Sequence, residues 1–279
     1  MSNYRSVTPN EAESLVDGGA VHVLDVRTPE EYSRLGHIPG AWLLPVDLIP
    51  SAPAVLPRSG RPVLVYCEHG VRSVAACRWL ARAGVAPLLN MSGGMSTWTG
   101  PRAFGEGTLH GPSSWLLQNA GLLPSGGHVL DIAAGRGRHA LLLAAARFQV
   151  TAIDRDAGAL EDLARTAEAV GLTVVTMTRD LEIEGPVDLG DALFDVALVF
   201  NYLHRPLFPA ILRALAPGGL LLYETFLTAK AERGHPKNPA FLLEPGELTA
   251  RVAPLTVLRS REGEYDGRLV ASVVARRDV

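Results

Sequence analysis

The sequence predicts an α/β protein of two domains. Its 279 residues exceed one ordinary domain and suit two. Short apolar runs alternate with helical patterns twice along the chain, and such alternation is typical of parallel sheets joined by helices. A stretch rich in Gly, Pro and Ser, without periodicity, separates the two regions. We therefore expect a first domain at 1–102, a linker at 103–112 and a second domain at 113–279.

Composition and charge narrow the function classes. Hydrophobic residues make up 47% of the chain and charged residues 20%, which supports packed cores rather than disorder. The net charge of −3 offers no electrostatic argument for a nucleic-acid partner, so none is expected, although a local basic patch is compatible with it. Neither a signal peptide nor an apolar run of membrane-spanning length occurs, so we expect a soluble, cytoplasmic protein without a membrane partner. We expect no metal site, and the sequence gives no oligomeric state.

The first hundred residues begin with a strand–helix alternation. Apolar runs at 21–26 and 62–67 predict strands, and the patterns at 30–35 and 71–84 predict helices. Helices between strands connect them in the same direction. A parallel sheet is therefore expected here.

Cys67 stands at the end of the second predicted strand. A turn containing Gly70 and a helix beginning near Val71 follow it, with Arg72 close by. Backbone N–H groups, the positive end of a helix and a cation all favour a thiolate, which is a nucleophile. A lone cysteine at a strand end is more often a buried structural residue, but the combination of features reverses that preference. Cys77 lies within the helical pattern and is interpreted as core packing.

Three motifs in this region carry a family resemblance. They lie at 24–41, 66–73 and 92–98, and the second contains Cys67. In this order they resemble a single rhodanese domain spanning about 6–100. The resemblance implies that Cys67 carries a persulfide, formed from a small sulfur donor.

Further positions match the rhodanese pattern. Asp25, Arg27 and His37 match signature positions that look structural rather than chemical. From Cys67 to Arg72 the loop counts six residues, similar to rhodaneses that handle sulfur, whereas related phosphatases have a loop one residue longer. A non-catalytic docking or persulfide-sensing module is the alternative.

The second region restarts the alternation more strongly. Ser113 or Ser114 is placed to cap a helix near Trp115. We expect helices between the first five strands, and a terminal hairpin that puts one antiparallel strand into an otherwise parallel sheet. The predicted strands are 128–133, 149–154, 172–177, 194–200, 218–226, 254–260 and 268–276.

A glycine turn and three acids mark one edge of this predicted sheet. Gly135 and Gly137 open a helix after the first strand, where backbone can approach a ligand. Asp131 sits at the strand end, four residues before Gly135, whereas a dinucleotide fingerprint has its glycines directly after the strand. Asp154 and Asp180 end the next two strands. Each acid alone reads best as a helix cap, but three in register favour a ligand site.

These residues resemble the class I S-adenosylmethionine-dependent methyltransferases over about 113–279. The resemblance implies S-adenosylmethionine as cofactor, with Gly135 and Gly137 at its methionine end and Asp154 on its ribose. Ala133 departs from the family, which usually has glycine there. The remaining residues assigned to the cofactor are Asp180 and Leu181 on the adenine, together with Asp131, Arg155 and Asn201.

Within that superfamily the chain looks closest to the tellurite-resistance methyltransferases. The similarity lies in 217–226 and 241–248. It implies a small thiol or chalcogen as methyl acceptor. The stretch 262–269 lacks the histidine of the family's corresponding segment.

Residues 200–206 leave the fourth strand toward the same edge. They place Asn201, Tyr202, His204 and Arg205 near the expected methyl group. His204 is a candidate base and Arg205 a candidate partner for an anionic acceptor. Equally, both side chains could cap or solvate the next helix.

The loop at 228–239 is a candidate lid over the acceptor, and a solvated surface loop is the equal alternative. Its basic residues would favour an anion; they are Lys230, Arg233, His235 and Lys237.

The sequence therefore predicts a bifunctional enzyme, a sulfurtransferase joined to a methyltransferase of a small acceptor. The alternative is a methyltransferase of an unrelated acceptor, with a first domain that senses persulfide or docks.

Overall fold

The computed structural model describes residues 4–107 and 109–279. The chain forms two compact units. One contains the residues up to 112 together with 165–172, and the other contains 113–164 and 173–279.

The first unit is built on a five-stranded sheet in the order β1-β5-β4-β2-β3, with every pair parallel. The parallel sheet expected from the alternation is confirmed. Its strands are β1 (Arg5–Val7), β2 (His22–Asp25), β3 (Trp42–Leu43), β4 (Val63–Tyr66) and β5 (Leu88–Met91). Its α-helices are α1 (Pro9–Asp17), α2 (Pro29–Arg34), α3 (Ala52–Val55) and α4 (Val71–Arg82), and 3-10 helices lie at Val46–Ser51 and Gly94–Thr97.

The central strand β4 is buried on both faces. Val63 and Val65 pack into one apolar cluster, and Leu64 and Tyr66 pack into a second one. Successive side chains of a strand point to opposite faces, so β4 contributes to both clusters. The carboxyl end of β4 therefore lies in the middle of the unit, and Cys67 follows it directly.

Three strands of this sheet were absent from the sequence prediction. β1 and β3 have three and two residues, too few to show an alternation. β5 follows Pro87 and contains the polar Asn90, which is buried. Their pairing with neighbours, not a pattern of their own, makes these segments strands.

The segment predicted as a linker, 103–112, belongs to the first unit. Ala103 and His37 exchange two backbone hydrogen bonds of 2.8 and 2.9 Å. The ring of His110 stacks on Trp42 with centroids 4.2 Å apart, and its amide donates to Leu43. Apolar and aromatic contacts order the segment despite its glycines. Thr108 lies outside the described residues.

The second unit contains a seven-stranded sheet in the order β11-β12-β10-β9-β6-β7-β8. β12 is antiparallel to both of its neighbours, and the other described pairs are parallel, so the predicted hairpin is confirmed. The strands are β6 (His128–Ile132), β7 (Gln149–Asp154), β8 (Val174–Thr178), β9 (Phe194–Phe200), β10 (Leu215–Phe226), β11 (Thr256–Tyr265) and β12 (Arg268–Arg276).

Helices flank this sheet. The first of them is capped by Ser113, whose hydroxyl accepts from the amide of Trp115 at 3.1 Å, as predicted. The α-helices are α5 (Ser114–Gln118), α6 (Arg138–Ala145), α7 (Ala157–Val170), α8 (Phe208–Ala214) and α9 (Glu247–Arg251). The 3-10 helices are Ala120–Leu122, Arg205–Leu207, Thr228–Arg233 and Pro239–Phe241.

The connection between β8 and β9 was predicted as a helix, and that expectation was wrong. Residues 179–193 contain no helix. Gly185, Pro186 and Gly190 interrupt any helical run. The segment is irregular, and its apolar side chains pack into the core of the unit instead; they are Leu181, Val187 and Leu189.

Within the described part of the chain, no helix has both the length and the apolar character needed to cross a bilayer.

Candidate functional sites

The thiol of Cys67 lies in a cradle of donors at the carboxyl end of β4. The amides of Gly70 and Ser73 point at its sulfur from 3.2 and 3.4 Å. The hydroxyl of Ser73 lies 3.6 Å away. Only 1% of the residue is exposed. These donors favour negative charge on sulfur, because an anion accepts N–H groups better than a neutral thiol does.

The carbonyls of the loop are turned away from the cradle. Those of Cys67 and Glu68 accept the amides of Met95 and Ser96, each at 2.9 Å. Gly94 makes this close approach possible, because a Cβ there would overlap the carbonyl oxygen of Cys67. The late glycine pair of the sequence motif thus holds the loop with its N–H groups inward.

A buried ion pair supports the loop from below. The side chains of Asp25 and Arg27 are fully buried, with nitrogens and oxygens 2.8 to 3.1 Å apart. Arg27 also donates to Glu68 at 2.8 Å and to the carbonyl of Gly36 at 2.7 Å. Burial opposes the charged form, but these acceptors prevail and raise the pKa of Arg27. Asp25 and Arg27 thus have the structural role that the resemblance implied.

Arg72 is held by a carboxylate that sequence reasoning missed. Its two terminal nitrogens lie 2.7 and 2.5 Å from the oxygens of Glu31. This pairing raises the pKa of Arg72 and lowers that of Glu31 to about 2. The nearby Cys67 raises the pKa of Arg72 further. No local pattern reveals the pair, because its members are 41 positions apart.

Cys77 contrasts with Cys67. It is fully buried inside α4, and its sulfur lies 3.9 Å from the carbonyl of Leu89. Burial raises the pKa of its thiol to about 12. It packs in the core, which fits the interpretation from sequence.

In the second unit the glycine turn joins β6 to α6. Ala133 takes a φ of 55°, in the left-handed region, so alanine stands in a conformation that glycine favours. A Cβ at Gly137 would overlap the side chain of Leu163 in α7. The turn is thus packed closely on the neighbouring helix. The amide of Gly135 donates to the carboxylate of Asp154 at 2.7 Å.

A cavity of about 160 Å³ opens beside this turn. Several of the residues that line it were assigned to the cofactor from the sequence. Two others, Arg179 and Glu182, were not predicted from the sequence. The exposed Arg155 and the half-buried Glu182 approach each other to 3.8 Å. The lining residues are Ala133, Asp154, Arg155, Arg179, Asp180, Leu181, Glu182 and Tyr202.

Two side chains of the cavity present polar atoms of opposite character. Asp180 accepts the amide of Glu182 at 2.9 Å through one carboxylate oxygen. The buried hydroxyl of Tyr202 has no hydrogen-bond partner among the described residues. Burial, with Glu182 and Asp180 close by, raises the pKa of the Tyr202 phenol and keeps it protonated as a donor.

Asp131 is the last residue but one of β6, which agrees with its predicted place at the strand end, and it is 2% exposed. Burial raises the pKa of its carboxyl to about 7, although Arg138 and the amide of Ala140 act in the opposite direction. Its Oδ2 atom is buried with no hydrogen-bond partner in the described part of the structure. It is an uncompensated acceptor next to the turn.

Asn201 and His204, in the segment after β9, differ in exposure and in their hydrogen bonds. Asn201 is exposed, takes a φ of 58° and accepts from Arg268 at 3.0 Å. His204 is half-buried at the start of a 3-10 helix, and its carbonyl accepts from Leu207. Neither residue lines the cavity.

Arg205 holds the protein's own chain rather than standing ready for a ligand, which corrects its assignment to an anionic acceptor. Its Nε and one terminal nitrogen bind Glu247 at 2.6 and 2.8 Å. Its terminal nitrogens also donate to the carbonyls of Ala240 and Leu242 at 2.9 and 2.8 Å. The pairing lowers the pKa of Glu247 to about 2. Arg205 thus holds the chain that directly follows the predicted lid at 228–239.

The start of that lid, at Thr228, and the chain beyond its end, at Leu243, are joined by hydrogen bonds. The amide of Thr228 donates to Leu243, and that of Leu243 to Phe226, each at 2.9 Å. Between them His235 and Lys237 are exposed and Lys230 is half-buried. The side chain of Arg233 lies outside the described residues.

A buried polar network near the end of β10 was not predicted. Glu224 is 1% exposed and accepts from Arg268 at 2.6 Å and from Arg261 at 3.0 Å. The hydroxyl of Ser113 donates to the same carboxylate at 2.9 Å, and its amide donates to His139 at 3.1 Å. Burial lowers the pKa of His139 well below its ordinary value, so the ring is a neutral acceptor.

Comparisons with known proteins match the two units separately. A family model of the rhodanese-like domain matches residues 8–101, and a model of a methyltransferase domain matches residues 129–219. A sulfurtransferase from Allochromatium vinosum is 39% identical over 87 residues, which are 31% of this chain and 79% of that protein. The thiosulfate sulfurtransferase GlpE from Shewanella oneidensis is 26% identical over 98 residues, 35% of this chain and 95% of that protein.

The solved structure of TehB from Haemophilus influenzae is similar in fold. The match covers 60% of this chain and 63% of that one, with a TM-score of 0.51 and 18% identity. The chain therefore belongs to the rhodanese-like sulfurtransferase family through its first domain, and its second domain is a methyltransferase domain.

Proposed function

We propose that this protein is a bifunctional enzyme. Its first domain takes sulfane sulfur onto Cys67 as a persulfide, and its second domain transfers a methyl group from S-adenosylmethionine to a small thiol or chalcogen acceptor. The observation that carries the proposal is the position of the Cys67 sulfur, 3.2 and 3.4 Å from two inward amides beside Arg72.

In the sulfur step Cys67 acts as the nucleophile. The amides of Gly70 and Ser73 stabilise the anion before attack and the persulfide anion after it, because both carry charge within the same cradle. Arg72 lies beside the sulfur, with most of its positive charge compensated by Glu31. The ion pair of Asp25 and Arg27 keeps the loop in place.

The sulfur step is tested by following thiocyanate formation from thiosulfate and cyanide. Cys67→Ser should abolish it, because a hydroxyl is a far weaker nucleophile. Cys77→Ser is the matched control, since that thiol is fully buried inside α4 and its sulfur lies near the carbonyl of Leu89. Equal activity of the two variants would contradict the proposal. A first domain that only senses or docks would leave the unaltered protein inactive.

The residues around the cavity fit S-adenosylmethionine. Asp154 offers carboxylate oxygens for ribose hydroxyls, and Asp180 with Leu181 offers an acceptor and an apolar surface for the adenine. Asp131, with its uncompensated oxygen, is the acceptor for an ammonium group. Gly135 and Gly137 keep the backbone close to the methionine end. Arg155 and Tyr202 complete the sides of the site.

When bound, S-adenosylmethionine supplies a methyl group on a positively charged sulfur. We assign to His204 the removal of a proton from the acceptor, because it is half-buried and follows the strand whose end faces the cofactor site. Asn201, fixed by Arg268, is assigned to the same edge. Arg205 is assigned to positioning the loop that ends at Leu242.

The methyl step is tested with labelled S-adenosylmethionine and a panel of small thiols, selenite and tellurite. We expect methylated product from at least one of them and a lower rate with His204→Gln. To test coupling, thiosulfate and dithiothreitol replace the acceptor, since the dithiol releases sulfide from a persulfide. Cys67→Ser should then remove methanethiol, the product of sulfide methylation, while sparing methylation of added sulfide and of dithiothreitol itself. Equal rates from thiosulfate in both proteins would mean that the two domains act independently.

A further inference from the structure

We infer that Glu31 makes the sulfur site select against donors of high negative charge. The inference rests on the proposed sulfur transfer by Cys67. It concerns the chemical class of the donor, which neither the fold nor the motifs specify.

The position of Glu31 is set by its helix. It is the third residue of α2, and it accepts the amide of Thr28 at 2.9 Å while Thr28 accepts its amide in return. This capping box fixes the carboxylate at the helix start. From there it grips both terminal nitrogens of Arg72. The side chains of Arg72 and Glu31 are 33% and 23% exposed, so the pair lies at the surface of the site.

The pair removes most of the positive charge that an incoming anion would meet. Arg72 holds the pKa of Glu31 at about 2, so the carboxylate stays ionised at any ordinary pH. The other arginine of the site, Arg27, is already shared by Asp25 and Glu68. Around the loop, three carboxylates thus face two guanidinium groups. Both guanidinium groups that pair with carboxylates here are thus already compensated, so a second negative charge on a donor meets more repulsion than it would from the arginines alone.

Two sulfur donors that react by the same chemistry allow the charge of the donor to be varied while the transferred atom stays the same. The thiolate of Cys67 attacks the outer sulfur of thiosulfate, the S–S bond breaks, and sulfite leaves with the electron pair, giving a persulfide on Cys67. Methanethiosulfonate reacts in the same way and releases methanesulfinate. The first donor is a dianion and the second a monoanion, and both deliver one sulfur atom.

The first experiment compares kcat/KM for the two donors, with cyanide as the final acceptor. Glu31→Gln keeps the capping box, because glutamine serves at that position, and it removes one negative charge. We expect the ratio of thiosulfate to methanethiosulfonate to rise by about three- to tenfold, the range for one charge at a partly exposed site. Glu30→Gln is the control, since Glu30 pairs with the exposed Arg34 in the same helix. Its ratio should not change.

The second experiment measures the same discrimination by charge through the alkylation rate of Cys67, without sulfur transfer. Cys67 is alkylated by iodoacetate, an anion, or by iodoacetamide, which is neutral, and Cys67→Ser gives the background. In Glu31→Gln the rate with iodoacetate should rise relative to that with iodoacetamide. A protein that alkylates with this selection but transfers no sulfur would contradict the proposed function and leave the charge selection standing.

An equal fall for both donors, with an unchanged alkylation ratio, would overturn the inference. Glu31 would then only position Arg72. An unchanged donor ratio in an active Glu31→Gln protein would overturn it as well.

Discussion

The amide of Gly135 donates a hydrogen bond to the carboxylate of Asp154 at 2.7 Å, which ties the glycine turn after β6 to the end of β7. The other oxygen of Asp154 accepts the amide of Asp156 at 2.9 Å. Asp154 thus positions the turn and also presents the lone pairs that remain to the cavity. A single residue couples the two halves of the proposed cofactor site.

Asp154→Ala should weaken binding of S-adenosylhomocysteine by about 1–3 kcal/mol, because it removes a charged acceptor and loosens the turn. Calorimetry measures the affinity. Asp156→Ala is the control, since Asp156 caps α7 through the amide of Ala159 and does not line the cavity. A loss of affinity in the control of the same size would contradict the assignment of Asp154.

Asp131 should make the stability of the second domain depend on pH. Its pKa is raised in the folded protein to about 7 from an ordinary 3.8. Its contribution is therefore complete below about pH 4 and is lost as the pH rises toward 7, at no more than about 1.4 kcal/mol per pH unit. Asp131→Asn should remove that slope. Urea unfolding between pH 4.5 and 7.5 checks it, with the exposed Asp191→Asn as the control that keeps the slope.

Ala133→Gly should stabilise the second domain by about 0.5–1 kcal/mol. Alanine at a φ of 55° has a conformational energy cost in the left-handed region that glycine avoids. The greater freedom of glycine in the unfolded chain offsets part of this gain in the free energy of unfolding. Ala134→Gly should destabilise by a similar amount, because Ala134 is not among the positions of positive φ. The relevant unfolding transition is the one that S-adenosylhomocysteine shifts. Stabilisation by both variants would refute the argument from strain.

Gly94→Ala should lower thiocyanate formation at least about tenfold, since the new Cβ displaces the loop at the carbonyls of Cys67 and Glu68. Gly84→Ala is the matched control. It has a similar positive φ of 79°, but a Cβ there meets no atom within 4 Å. Both variants carry backbone strain, so only the contact with the loop separates them. Equal losses in the two would assign the effect to strain alone.

The sequence predicted the second sheet better than the first. Its strands are long apolar runs, such as 194–200, whose predicted bounds agree with β9. The short β1 and β3 gave no pattern, and the segment at 103–112 is ordered by contacts with His37, Leu43 and Trp42 rather than by its own residues. Hydrophobic periodicity therefore predicts long strands that bury many of their own side chains. It does not predict short segments whose structure depends on contacts with distant residues.

The candidate sites divide in the same way. Cys67, Gly135 and Asp154 belong to motifs that fix a strand, a turn and a helix, so their positions followed from local order. The roles of Arg72 and Arg205 depend on Glu31 and Glu247, which lie 41 and 42 positions away. Such pairings exist only in the folded chain. The sequence therefore suggested which arginines lie near the sites, but it could not show that a distant carboxylate of the same chain binds each of them.

Cys77 is fully buried and its raised pKa keeps its thiol protonated, which has a consequence for the proposed sulfur transfer. The chain has two cysteines, and only Cys67 lies in a cradle of donors. The persulfide proposed for Cys67 therefore has no second reactive thiol in the chain with which to form an internal disulfide. We expect each chain to carry a single sulfur atom at a time and to require an external acceptor for discharge. Mass spectrometry of the loaded protein should show a gain of one sulfur and no loss of two hydrogens.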